Sequence, residues 1–150
     1  MIRVLSVLSV TAMLALPVLA SAQEREPIGS VKTVSGAAYL VSAKGKANAK
    51  VGDYVYKNDV IETGKDGTLG VTFKDDTQVS IGGDTQLTLD DFVYQPQKEQ
   101  YAFSSRLAKG TLFMATGAIA KLKPEAVQVN TPSGTLGVRG TRFVLQVAEQ

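Results

Sequence analysis

The sequence contains no cysteine, no histidine and no tryptophan. Without histidine there is no Ser-His-Asp triad and no imidazole to act as a general base near neutral pH. Without cysteine there is no thiolate nucleophile, no disulfide and no zinc centre of the usual Cys/His kind. An excess of one charge is missing too: 16 basic and 14 acidic side chains leave a formal charge of +2. With no basic stripe, nucleic acid is not an expected partner. At 150 residues the length suits one domain.

What is present begins with a leader. Met1-Ile2-Arg3 is a short positive start, and Val4 to Val18 is apolar apart from Ser6, Ser9, Thr11 and Pro17. Ala20-Ser21-Ala22 puts small residues at the −3 and −1 positions before Gln23. This is the three-part pattern of a secretory signal peptide, expected to span residues 1–22 and to be cleaved after Ala22. A retained membrane helix is the competing reading, but 15 residues at about 1.5 Å each fall short of a roughly 30 Å hydrocarbon core. A lipoprotein is excluded, since acylation needs a cysteine at the cleavage point. The expected location is periplasmic or secreted, with residues 23–150 as a single domain and any membrane contact made through a partner. A chain of that size can bury enough surface for one core without disulfides.

Beyond the leader, glycine supplies the punctuation and valine and threonine the filling: all 14 Gly lie after position 22. That mixture favours short strands and tight turns, an all-β chain with few or no helices. Asp66-Gly67 signals a turn, after which Leu69, Val71 and Phe73 alternate with Gly70 and Thr72. Val79 and Ile81 flank Ser80, and after Gly82-Gly83-Asp84, Leu87 and Leu89 flank Thr88. The eight-residue step puts Val71, Val79 and Leu87 in one column and Phe73, Ile81 and Leu89 in the next. It predicts a regular meander or a solenoid-like β-roll, with a sandwich as the other all-β outcome. Further strands are expected at 28–34, 37–41, 60–63, 92–94, 101–104, 111–115, 127–130, 135–138 and 141–147. Single helical turns are expected at 104–109 and 118–123.

Candidate sites are few. The pairs Asp75-Asp76 and Asp90-Asp91 offer two carboxylates of the kind a glycosidase uses, but strand neighbours point to opposite faces, and Asp is expected at turns. Gly82-Gly83-Asp84 resembles part of a calcium-binding β-roll repeat, yet it occurs once and at the wrong period. Gly134, Gly137 and Gly140 with Arg139 and Arg142 could form an anion-binding nest, although the P-loop spacing is absent. Tyr54/Tyr56, Phe92/Tyr94 and Tyr101/Phe103 share i, i+2 spacing, so each pair is expected on one strand face. The Phe members suit a core and the Tyr members an exposed strip. Tyr54, Tyr56, Arg139 and Arg142 are the candidate binding residues. No catalytic residue, metal or cofactor is expected.

The order of these signals resembles the FecR domain, the periplasmic module of ferric-citrate-type transport regulators. The residues that carry the likeness start at Gly29-Ser30-Val31, Val34-Ser35-Gly36 and Val51-Gly52-Asp53. They continue through Lys57-Asn58-Asp59-Val60-Ile61-Glu62-Thr63-Gly64, Gly67 to Phe73, Asp75-Asp76-Thr77 and Gly110-Thr111-Leu112-Phe113. Thr131-Pro132-Ser133-Gly134 and Val138-Arg139-Gly140-Thr141-Arg142-Phe143 close the series. The likeness runs from Ile28 to Val147. It implies an all-β, non-enzymatic envelope module for sensing or protein contact. Signalling members sit outside an inner-membrane helix whose cytoplasmic end controls a sigma factor. Here only Met1-Ile2-Arg3 precedes the apolar run, so the expected role is that of an accessory protein. Its expected partner is another cell-envelope protein, met through a strand edge or the Tyr-bearing faces. Peptidoglycan or another polysaccharide is the alternative, and a small carboxylate-dependent glycan hydrolase the third reading.

Overall fold

The computed structural model describes residues 24–148; the leader expected at 1–22 lies outside the described residues. The chain forms β1 (Gly29–Ser35), β2 (Ala38–Ser42), β3 (Gly45–Asn48), β4 (Tyr54–Val55), β5 (Val60–Thr63) and β6 (Thr68–Phe73). There follow β7 (Gln78–Ile81), β8 (Gln86–Gln95), β9 (Gln100–Ala115), α1 (Ala118–Leu122), β10 (Val127–Thr131), β11 (Gly134–Gly137) and β12 (Arg142–Val147). The all-β expectation is borne out, with one short helix where a helical turn was predicted at 118–123. The strands build one open, curled sheet in the order β3-β2-β5-β8-β9-β7-β6-β1-β4. Every pairing is antiparallel except β10 with β9, where the chain returns in parallel after α1.

The long β9 is the spine of the sheet. Its first half pairs with β8 and β10, and its second half with β7 and β12. Between the halves lies Gly110, at φ 95°. A Cβ there would stand 2.1 Å from Thr85 Oγ1, so only glycine lets the strand turn against Thr85. Thr85 secures the bend: its Oγ1 accepts the Thr111 N–H at 3.0 Å. Curling brings Phe73 of β6 over Phe92 of β8 and Phe103 of β9, with ring centroids 5.7 and 4.9 Å away.

Two expectations need correction. The segment 104–109, predicted as a helical turn, is the middle of β9. Phe103, Ser105 and Leu107 alternate inward there and are buried. Pairing on both sides overrides the modest helix preference of the Ser-Arg-Leu-Ala-Lys run. The eight-residue column also stops after two strands. Val71 does face Val79, but the hairpin is antiparallel, so Ile81 faces Leu69 and not Phe73. Leu87 lies in β8, opposite Ile61 and Leu107, because β9 is inserted between β7 and β8. Neither a solenoid nor a simple meander results, although all six column residues do reach the same core.

That core is made of fully enclosed aliphatic side chains, among them Ile61, Leu69, Leu87, Leu107, Leu112 and Met114. Each such burial is worth about 1.5–3 kcal/mol relative to exposure. Asp75 is also buried and ties the turn after β6 to the helix. Its carboxylate accepts from Thr77 N, Thr77 Oγ1 and Ile119 N at 3.1, 2.8 and 3.2 Å. Its carbonyl oxygen accepts from Ala118 N at 2.8 Å.

Candidate binding groove

Because the sheet is open, its two terminal strands, β3 and β4, are left without a neighbour on one side. Residues of both border one open groove of about 820 Å³. Leu40, Ser42, Lys44, Gly45, Lys46 and Ala47 line it from the β2–β3 hairpin. Asp53, Tyr54 and Tyr56 line it from β4 and its flanks, and Glu24 and Arg25 from the start of the described chain. The groove thus occupies the mouth that a closed barrel would lack.

Its polar groups are organised around Asp59, which is 2% exposed. The Asp59 carboxylate accepts from Tyr56 N at 3.0 Å and from Arg25 Nη2 at 3.1 Å. Arg25 also donates to Lys57 O, and its guanidinium carbon lies 5.1 Å from the centre of the Tyr56 ring. A carboxylate, a guanidinium and an aromatic face therefore hold one another in place. On the opposite wall, Lys46 donates to Glu62 Oε2 at 2.8 Å and stands 4.3 Å over the Tyr39 ring. The hydrogen bond to Glu62 raises the Lys46 pKa above its ordinary value. Tyr54 is 61% exposed and the neighbouring Val51 66%.

Tyr54 and Tyr56 both border this groove, although only Tyr54 lies within a strand, β4. Arg139 and Arg142 line none of it. Arg139 is exposed between β11 and β12, and Arg142 opens β12 opposite Ala115. Beyond the chain neighbours, no heavy atom lies within 4 Å of where a Cβ would stand at Gly134, Gly137 or Gly140. The aromatic strip does not divide cleanly into core Phe and exposed Tyr: Phe103 is buried, while Phe92, Tyr94 and Tyr101 are all half-buried against the core, with the Tyr94 and Tyr101 ring centroids 6.2 Å apart. Three carboxylates of the acidic pairs have structural partners. Asp75 braces α1, Asp90 meets Arg106 at 2.6 Å and Asp91 meets Lys57 at 2.9 Å. Asp90 raises the Arg106 pKa, chiefly through that hydrogen bond. The turn at Gly82-Gly83-Asp84 joins β7 to β8, and no group of three His, Cys, Asp or Glu side chains among the described residues is placed to hold a metal.

Sequence reasoning missed Arg25, Lys46 and Asp59 as groove residues. Arg25 precedes the first strand and Asp59 lies 34 residues away, so no local pattern links them. The two-residue β4 and the four exposed residues of β3 gave no hydrophobic alternation by which either strand could be placed.

A family model described as FecR protein matches residues 59–150, more than half of the chain. The chain belongs to the FecR family. FecR proteins are a regulatory and sensing family. The matched stretch opens at Asp59, the buried centre of the groove, and takes in the spine strand and β12. A comparison with curated proteins found no match. Among solved structures, a chain described as "Cell surface anchoring domain" is 31% identical, covering 41% of this chain and 82% of that one, with a TM-score of 0.39. Among the described residues of this FecR protein, no helix is long and apolar enough to cross a membrane.

Proposed function

We propose that this FecR protein is an exported, non-catalytic accessory module of the cell envelope that binds another envelope protein in the groove between β3 and β4. The observation that carries this reading is the groove itself: exposed Tyr54 beside a fixed Arg25–Asp59–Tyr56 cluster, rimmed by Lys44 and Lys46. Tyrosine and arginine at the centre of a polar-rimmed apolar patch are the usual anchors of protein contacts. Unpaired main-chain groups on β3 add a place for an extended segment to pair. The leader supports export, and FecR membership supports sensing or contact over catalysis.

A second reading is favoured by one feature. The Tyr54 ring is open to solvent, with Asp53 and Lys44 on the same groove, and a flat ring beside polar side chains suits a sugar. The test is retention of residues 23–150 on purified sacculi and, separately, on solubilised envelope proteins. Specific recovery of one envelope protein, lost in Tyr54→Ala without loss of fold, supports the proposal. Retention on sacculi, lost when Tyr54 and Tyr56 become Ala, replaces it with polysaccharide binding.

A further inference from the structure

The edge of β12 is unlike the other free edges of the sheet. The strand pairs on one side only, with β9. Thr116 N donates to Thr141 O at 2.8 Å, which fixes the alternation. Main-chain groups of Thr141, Phe143 and Leu145 are directed at β9, and those of Arg142, Val144 and Gln146 are directed outward. Exposed edges are normally blunted by lysine, proline, bulges or brevity. β3 has Lys46 within it and Lys44 beside it, β4 has two residues, and β11, which also pairs on one side only, is a four-residue strand that begins and ends with glycine. After Arg142, β12 runs Phe143-Val144-Leu145-Gln146-Val147 with no charge and no proline. Its solvent face is apolar too: Val144 is 65% exposed and stands opposite Phe113, itself 40% exposed.

We propose that two copies of this chain pair antiparallel through β12, about a two-fold axis at Val144. The occupant follows from the strand's own complementarity. In that register Val144 faces Val144 of the second copy, and Arg142 faces Gln146. All three outward-directed residues then exchange main-chain hydrogen bonds. On the solvent face, Val144 meets its copy and each is flanked by its own Phe113, making one unbroken apolar row across four strands. On the inner face the half-buried Phe143 lies opposite Leu145, extending the core from one subunit to the next. The strand's one charge meets a neutral amide, so no like charges oppose each other. A slip by one residue would set inward side chains against outward ones. An open groove of about 460 Å³, lined by Leu136, Leu145 and Val147, runs along the same edge. Phe143 of the second copy arrives beside it. An isologous two-fold contact is the commonest form of homo-oligomer.

The test is the solution mass of residues 23–150 by light scattering over a concentration series, with two variants. The wild type is expected to be a dimer at high micromolar concentration. Val144→Lys places two lysines at the axis and should weaken dimerisation at least about tenfold, with an unchanged circular dichroism spectrum. Val144→Cys, in a chain with no other cysteine, should oxidise to a covalent dimer. Its Cα atoms would lie about 5.5 Å apart, within disulfide range. Gln146→Cys, facing Arg142, should not cross-link. A monomeric wild type, a dimer indifferent to Val144→Lys, or equal cross-linking at positions 144 and 146 overturns the proposal.

Discussion

The β3 edge and the β12 edge belong to the same sheet, yet they are built on opposite plans. β3 is exposed at all four residues and carries a lysine held by Glu62 over Tyr39. β12 alternates exposed and half-buried residues and carries no charge after its first position. In the proposed reading, the lysines of the β3 edge turn strands of other copies away, while the groove beside it offers Tyr54 and Arg25 to a partner. The other leaves its main-chain groups and an apolar row open. Guarding one edge and leaving the other bare allows one small domain to make two contacts that do not compete.

The largest effect expected is on what the two edges share. Leu112 is fully buried on β9 beneath β12, and Leu112→Ala should cost about 2–5 kcal/mol by transfer and cavity terms. Denaturant unfolding followed by tyrosine fluorescence and by circular dichroism should show one coincident transition; separate transitions would mean that the edges belong to independent units. A smaller loss is expected from Asp75→Ala, which frees Thr77 and the amide of Ile119 while leaving both edges in place. About 1–3 kcal/mol should be lost with groove binding and dimerisation retained. The smallest change in stability should come from Lys44→Val combined with Lys46→Val, because exposed ion pairs such as Lys46–Glu62 contribute at most about 1 kcal/mol. Its consequence lies elsewhere: a bared β3 should self-associate, read as higher-order species by light scattering. If that variant stays the size of the wild type, lysine is not what distinguishes the edges.

Much of the fold was legible because its signals are local. The Leu69-Val71-Phe73 and Val79-Ile81 alternations and the Asp66-Gly67 and Gly82-Gly83 turns mark β6, β7 and their boundaries, and the structure keeps them. Their arrangement was not legible. Nothing near Leu87 records that β9 would separate β8 from β7, since that order is set by pairing between segments far apart in sequence. The pentapeptide Gly-Thr-Leu-Gly-Val, which stands at both 67–71 and 134–138, shows the same limit. At Gly67 to Val71 the copy leads into buried β6, whereas at Gly134 to Val138 it supplies the exposed edge strand β11. Of the groove, the sequence offered Tyr54 and Tyr56 through their spacing. Arg25, Lys46 and Asp59 joined them only through the curl of the sheet.

The most direct measurement is the native mass of the complex that residues 23–150 recover from their own envelope fraction, compared with that of Tyr54→Ala. The wild type should appear as two copies carrying an envelope protein. Tyr54→Ala should appear as two copies without it, because the groove and the β12 edge serve different contacts. Recovery of the same envelope protein by Tyr54→Ala, or loss of the second copy along with it, would contradict that division.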